Sequence, residues 1–461
     1  MNDTFSDTGK EKPRIAAQPR PYVRVPIALR IIGGLLLLIA IGTLLLMLPG
    51  VGAQGPLTFD QALFTAVSAL CVNGLTIITP STQLTLFGQL ILLIEIQVGG
   101  VGFMVVVIAA LRLLRRQIFL VDRLAIRDSL GLPEREQFGP ILRRVLLTVV
   151  IIETVGAFLL WLNWRNQFDD VSALWYAIFH SISAFCNAGF DLFSGQPQFP
   201  TGIPRDPFSL IVLGAIIVLG GLGFPILAEL VHWHRQKRLS LHTRLTLWLS
   251  LALVVIGAVG FLIGEVGARG LPPTTSWPQA VLYSTFQSIS TRSAGFTLGD
   301  LSTFQPATQF LTICLMFIGT APASMGGGIT TGTVLVLLLS MWGYARGFAK
   351  PQWAGRSLPA ELPRRSAAVL TVSLFVVIIA TWLLLVTGNG KMDEMLFEVV
   401  SAFATTGLTL PVTSKLNGIG QVIIMLMMIW GRLGAMTIIL ALARRQPPEP
   451  IQYPEESILI G

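Results

Sequence analysis

From Leu29 the chain reads LRIIGGLLLLIAIGTLLLMLPG, an apolar run with a single charge, Arg30, at its edge. One helix of that length crosses the roughly 30 Å hydrocarbon layer of a membrane. Several other apolar runs reach 18 residues or more, and the composition follows from them: 53% of the 461 residues are hydrophobic and 12% charged. The mean hydropathy is +0.71, whereas a soluble chain carries about a quarter of its residues as Asp, Glu, Lys or Arg. In lipid every backbone polar group must be satisfied within the protein. The chain is therefore expected to be an all-α integral membrane protein.

Eight full crossings fall near residues 29–49, 84–112, 145–163, 208–231, 245–264, 306–341, 366–386 and 418–443. Of the 32 Lys and Arg, 25 lie at the N-terminus, in segments 112–144, 235–244 and 346–365, or in the C-terminal tail. Five (Arg165, Arg205, Arg269, Lys391 and Lys415) lie on the opposite side, and Arg292 and Arg432 lie at membrane depth. Cytoplasmic loops collect Lys and Arg, so both termini are expected in the cytoplasm of a multi-pass cell-membrane protein. The polar, basic start reads as a cytoplasmic tail with no cleavable signal.

Between alternate crossings stand FTAVSAL, ALWYAIFHSIS, AVLYSTFQSIS and MLFEVVSAF. Each is too apolar for a loop and too short for a span, since about 12 helical residues cover some 18 Å. Each runs into one member of a repeated phrase: SALCVNGLTI, SISAFCNAGFDL, SISTRSAGFTL and SAFATTGLTL. The glycines of these phrases, Gly74, Gly189, Gly295 and Gly407, are 115, 106 and 112 residues apart. The spacing predicts four tandem helix–pore helix–filter–helix repeats, with eight spans, four re-entrant loops and pseudo-fourfold symmetry around one pore. Every unit begins and ends on the same side, unlike the inverted repeats of many secondary transporters. The expected boundaries are an N-terminal tail 1–28, repeats 29–114, 145–234, 245–345 and 366–443, a cytoplasmic loop 115–144 and a C-terminal tail 444–461.

A dehydrating cation needs rings of oxygen ligands, which backbone carbonyls supply, and glycine frees the backbone to present them. The candidate ion-binding residues are Val72, Asn73 and Gly74; Asn187, Ala188 and Gly189; Ser293, Ala294 and Gly295; and Thr405, Thr406 and Gly407. The pore helices would turn their negative dipole ends to the same centre. Asp60, Asp169, Asp170, Asp191, Asp300, Asp393 and Glu394 would form a mild cation-attracting rim. The competing reading is helix packing through small residues, which four copies at one period disfavour.

The crossing 306–341 is too long for one straight helix, and GTAPASMGGGITTGT (319–333) stands in its middle. Pro322 and Gly326 to Gly328 do not propagate a helix, so an intramembrane loop is expected there. Ser324, Gly326, Gly327, Gly328, Thr330 and Thr331 are its candidate gating residues, with Arg432 as a fixed charge below the filter or, alternatively, in a salt bridge to Glu398 or Glu95. An arginine at the centre of a span costs about 2.5–3.5 kcal/mol on insertion scales and faces a cavity or a partner. Arg292 is expected behind the filter, bonding backbone. VGGVGFM (98–104) and LGGLGFP (219–225) follow no strand, so close packing is preferred to a nucleotide site. Cys71, Cys186, Cys314 and the four histidines show no metal or disulfide spacing. No enzymatic motif occurs and no nucleic-acid partner is expected.

Through SAFCNAGF, QSISTRSAGF, VSAFATTGLT, the glycine phrases and YPEESILIG, nearly the whole chain resembles the Trk/Ktr/HKT superfamily of potassium transporters, most nearly the bacterial KtrB type (NtpJ-like) with one crossing before the first filter. The resemblance implies that potassium is the transported ion, with no covalent cofactor, and that 319–333 is the gating loop with Arg432 in the constriction. It further implies a homodimer docked on a cytoplasmic nucleotide-binding regulatory ring (KtrA-like), with membrane lipids around it. Four filter glycines imply potassium preference, although the first filter departs from the family's commoner threonine-rich form. A sodium-permeable or sodium-coupled transporter stays open as the alternative, and a non-conducting scaffold as a remote one.

Overall fold

The computed structural model describes residues 27–101 and 138–434, apart from 200–201, 237–238, 268–269, 271–274, 349 and 389. The tails, most of the segment 112–144 and the far ends of the second and eighth expected crossings lie outside the described residues. Among the described residues three helices are long and apolar enough to cross a membrane: Val145–Trp164, Leu241–Gly267 and Glu361–Thr387. Shorter apolar helices cover Ile32–Leu46, Leu86–Gly100, Pro306–Phe317, Thr331–Ala345 and Gly418–Leu433. Polarity is inverted relative to a soluble protein. Leu37, Leu44, Phe375 and Val386 are more than 60% exposed on the outer helix faces, while Ser68, Asn73, Ser183, Ser290, Thr405 and Thr406 are fully buried. A lipid-facing surface with a polar interior follows, as expected where the solvent outside is hydrocarbon.

Four short helices carry the interior: Phe59–Leu70, Asp170–Cys186, Trp277–Thr291 and Met392–Ala404. Each starts at a built cap. Gln61, Gln279 and Glu394 accept from the backbone N–H groups of Thr58, Ser276 and Lys391 at 3.2, 2.9 and 3.2 Å, and Asp169 accepts from the Ser172 N–H at 3.0 Å. Such caps satisfy donors that a helix start leaves orphaned. Bonds from the Ser172 N–H hold the Asp169 carboxyl below the usual range, so its charge persists at that end. Each short helix packs on the longer helix before it and the helix after it. The helix after it also packs on the next short helix, and Gly418–Leu433 returns to Phe59–Leu70, so the order closes on itself.

Two expected crossings are broken, one unforeseen and one as expected. The segment 208–231 is a pair of helices, Pro207–Gly221 and Phe224–Val231, bent by 107°. Its break falls at Gly223, whose φ of +80° is left-handed and ends the first helix. The segment 306–341 is interrupted, as its proline and glycines require, by a non-helical stretch between Phe317 and Thr331.

Three helices reach the interior through glycine. A Cβ on Gly99, Gly220 or Gly431 would collide with the carbonyl of Leu70, Phe185 or Phe403, each four residues before a phrase glycine. VGGVGFM and LGGLGFP therefore do work as close-packing sites, and Gly431 is their unforeseen counterpart in the last helix. Gly220→Ala is expected to lower the thermal unfolding midpoint in detergent, at a cost of about 1–3 kcal/mol from overpacking. Gly33→Ala, where nothing lies within 4 Å, is expected to leave the midpoint unchanged or raise it.

Candidate functional site

The four phrase glycines all take left-handed backbone angles, with φ of +93° at Gly74, +69° at Gly189, +74° at Gly295 and +86° at Gly407. Their surroundings run in a cycle. A Cβ on Gly74 would strike the Ala188 carbonyl, one on Gly189 the Ala294 carbonyl, one on Gly295 the Thr406 carbonyl, and one on Gly407 the Asn73 carbonyl. The four segments thus meet edge to edge, and the carbonyls of the residues before the glycines lie at the contacts. A side chain at any of these positions would be strained by φ and blocked by backbone.

Each segment leaves its helix by a tight turn. The N–H groups of Asn73, Ala188 and Thr406 donate back to Ser68, Ser183 and Ser401 carbonyls at 2.8, 2.8 and 3.0 Å. In these three, a residue two before the glycine takes the left-handed conformation: Val72 (φ 55°), Asn187 (φ 57°) and Thr405 (φ 50°). The third segment differs. From its serine to its glycine, STRSAG is one residue shorter than SALCVNG, SAFCNAG and SAFATTG. Ser293 accordingly keeps negative φ, and the Ala294 and Gly295 N–H groups both donate to the Ser290 carbonyl. Serine hydroxyls tie the turns: Ser183 and Ser290 donate to the Phe190 and Phe296 carbonyls at 2.7 and 2.6 Å, and Ser68 accepts from the Gly74 N–H at 3.1 Å. The Asn73 amide donates to the Ala402 carbonyl at 2.9 Å, joining the first segment to the end of the fourth short helix.

Immediately against the helix ends lies the non-helical stretch. Cβ atoms on Gly326, Gly327 and Gly328 would meet Ser293, Thr405 and Ala404, at 2.9, 2.7 and 3.1 Å, and the Gly327 N–H donates to Thr405 Oγ1 at 2.8 Å. The stretch is held from its other side by the bent second unit: Ala321 N–H donates to the Gly221 carbonyl at 3.1 Å, Met325 N–H to Gly220 at 3.3 Å, and Phe224 N–H to Ala323 at 3.2 Å. Thr320 and Ser324 hydroxyls bond at 2.7 Å. Two arginines grip it. Arg292 donates to the Gly319 carbonyl at 2.9 Å and to Ser250 at 3.5 Å. Arg432 donates to the Met325 carbonyl and to those of Gly99 and Gly100.

All twelve segment residues expected from the sequence are brought to one place, and Gly326 to Gly328 lie against them. Thr330 and Thr331 are set apart: Thr330 caps the helix Thr331–Ala345, accepting from the Thr333 N–H at 3.4 Å, and Thr331 is its first residue. The last three residues of the expected loop 319–333 are thus helical. Arg432 lies in the last turn of Gly418–Leu433, with Gly434 at φ +75° after it. Its partners among the described residues are carbonyls; Glu398 instead binds Thr409 and Thr413. His180 packs, as expected, with Nδ1 at 2.7 Å from the Tyr176 carbonyl and its ring stacked on Phe193. No group of metal-ligating side chains occurs among the described residues. The Thr405–Gly327 bond and the Gly223 hinge were not foreseen; both join distant parts of the chain that no local pattern relates.

A closed set of glycine segments cradled by half-length helices inside a lipid-facing bundle is the architecture of a membrane transport protein. Residues 30–451 match the TrkH family of cation transport proteins, and the chain belongs to that family. It is 32% identical to the potassium/sodium uptake protein NtpJ of Enterococcus hirae, over 94% of this chain and 96% of that one. It is 33% identical to the Ktr system potassium uptake protein B of Bacillus subtilis, over 93% and 95% respectively. The fold is similar to that of the potassium transporter TrkH from Vibrio parahaemolyticus, with a TM-score of 0.72, 17% identity, and coverage of 92% of this chain and 86% of that one.

Thr405→Val removes the acceptor of the buried Gly327 N–H, a loss of about 1–3 kcal/mol. Faster hydrogen–deuterium exchange across 319–330 is the expected result, with exchange in Glu361–Thr387 unchanged.

Proposed function

We propose that the chain is the potassium-translocating membrane subunit of a Ktr/Trk-type uptake system. It is built as four tandem helix–pore helix–filter–helix units, with eight crossings and pseudo-fourfold symmetry around one pore. The observation that carries this reading is the cycle in which each phrase glycine abuts the carbonyl before the next one. Carbonyls in such a cycle replace the water of a cation entering the pore, and the four helix C-termini add negative potential at the same point. The filter is Val72 to Gly74, Asn187 to Gly189, Ser293 to Gly295 and Thr405 to Gly407. Because the closing contacts are backbone on backbone, the opening is set by main-chain geometry and resists adjustment to a smaller ion.

Exit is controlled by the loop between Phe317 and Thr331 together with Arg432. The loop is non-helical, lies against Ser293, Ala404 and Thr405, and is fastened by single hydrogen bonds that a modest motion breaks. Arg432 holds a positive charge on it through the Met325 carbonyl; release of that bond removes charge and backbone together. The names of the Ktr relatives, which are parts of a system, support a partner subunit; the family resemblance adds that the chain works as a homodimer on a cytoplasmic nucleotide-binding regulatory ring. Both termini lie in the cytoplasm, where the basic segments also meet anionic lipid.

A sodium-permeable or sodium-coupled transporter is the second reading, favoured by the name of the Enterococcus hirae relative, a potassium/sodium uptake protein. Uptake of radioactive rubidium by purified protein in liposomes, with potassium or sodium as competitor, separates the two. Stronger competition by potassium is the expected outcome; equal or stronger competition by sodium supports the second reading, and no uptake refutes transport. Gly189→Ser, strained by its left-handed φ by about 1–2 kcal/mol, is expected to reduce the potassium preference in folded protein. Deleting 324–330, or replacing Arg432 by alanine, is expected to raise flux. A well-folded variant with unchanged or lower flux contradicts the gating role.

A further inference from the structure

Aligned on their serines, the short helices share a pattern besides the glycine: Phe64-Thr65, Phe179-His180, Phe286-Gln287 and Phe397-Glu398, with Ser68, Ser183, Ser290 and Ser401 three residues after each polar residue. All four phenylalanines are buried, and so are Thr65, His180, Gln287 and Glu398, none more than 4% exposed. One tier of four different polar side chains therefore stands behind the glycine segments, where an unpaired polar group is costly.

Two of the four use that position in the same way. Leu192 lies three residues past Gly189, and its N–H donates to His180 Nε2 at 3.2 Å. That bond makes Nε2 an acceptor, so Nδ1 carries the proton and donates to the Tyr176 carbonyl. Thr409 lies two residues past Gly407, on the strand that leaves the fourth segment, and faces the Glu398 carboxyl group. The hydroxyls of Thr409 and Thr413 donate to the same carboxylate, the latter at 2.9 Å. Two hydroxyl donors, one on each oxygen, satisfy the buried carboxyl group and anchor the strand to it. In the other two units the tier is idle: Thr65 Oγ1 and Gln287 Nε2 have no hydrogen-bond partner.

We propose that Glu398 and His180 are positioning residues that hold the strand leaving the fourth and second glycine segments, and that ion preference rests on these two opposite strands more than on the first and third. The inference rests on the reading of the segments as a potassium filter. Neither side chain touches the ion; each fixes the backbone two to three residues beyond the glycine, and through it the direction of the carbonyls.

The test is competition of potassium and sodium against rubidium uptake in liposomes. Glu398→Ala and His180→Ala are each expected to reduce the potassium-over-sodium preference up to about tenfold, the equivalent of losing about one net hydrogen bond. Thr65→Val and Gln287→Leu are expected to keep the wild-type preference. Should Glu398→Ala not fold, the double substitution Thr409→Val and Thr413→Val removes two donors while keeping shape and carries the same expectation. Unchanged preference in that double variant, or in a folded Glu398→Ala, overturns the proposal, as does an equal loss in all four units. Absence of rubidium uptake by the wild-type protein would instead refute the filter reading itself.

Discussion

Contact between a glycine of one segment and a backbone carbonyl of the next is the constraint on which the rest of the structure depends. It permits no Cβ at Gly74, Gly189, Gly295 or Gly407, and it requires four chain segments to leave their helices at nearly the same depth. The half-length helices supply that depth, their caps fix where each begins, and serine hydroxyls close the turns at the ends of the first three. Around them the following helices come as near as backbone allows, through Gly99, Gly220 and Gly431. Substitution at those distant glycines therefore acts on the same centre as substitution in the segments.

Asymmetry enters at the third unit. There the phrase is one residue short, the left-handed residue is missing, and the following helix opens at Ile318. Arg292 fills the difference by bonding Gly319 at the start of the opened stretch. A stretch of backbone in a membrane interior must find partners for its polar groups. This one finds them in Gly220, Gly221, Thr405 and Arg432, from every side but through few bonds each.

Much of this was legible in the residues. The apolar runs, the four phrases at one period, the proline and three glycines of the interrupted crossing, and an arginine too costly to leave unpartnered each carry a local physical signal. The bend at Gly223 was not foreseen, because LGGLGFP reads with VGGVGFM as a packing phrase; Pro225 was a local signal, and the contact with Pro322 and Ala323 is one that no local pattern relates. The helix start at Thr331 was misjudged for a related reason: threonines inside a glycine-rich run look like loop, but Thr330 is a good cap. The polar tier of Thr65, His180, Gln287 and Glu398 was written in the sequence but hidden by its variety. It emerges only when the phrases are aligned on serine instead of glycine, since the third is short.

The account stands or falls on whether the four glycine segments hold a cation between them. Diffraction from crystals grown in rubidium chloride, recorded at the rubidium absorption edge, tests it most directly. An anomalous peak enclosed by the Asn73, Ala188, Ala294 and Thr406 carbonyls is the predicted result. Well-ordered segments with no rubidium among them would contradict the account.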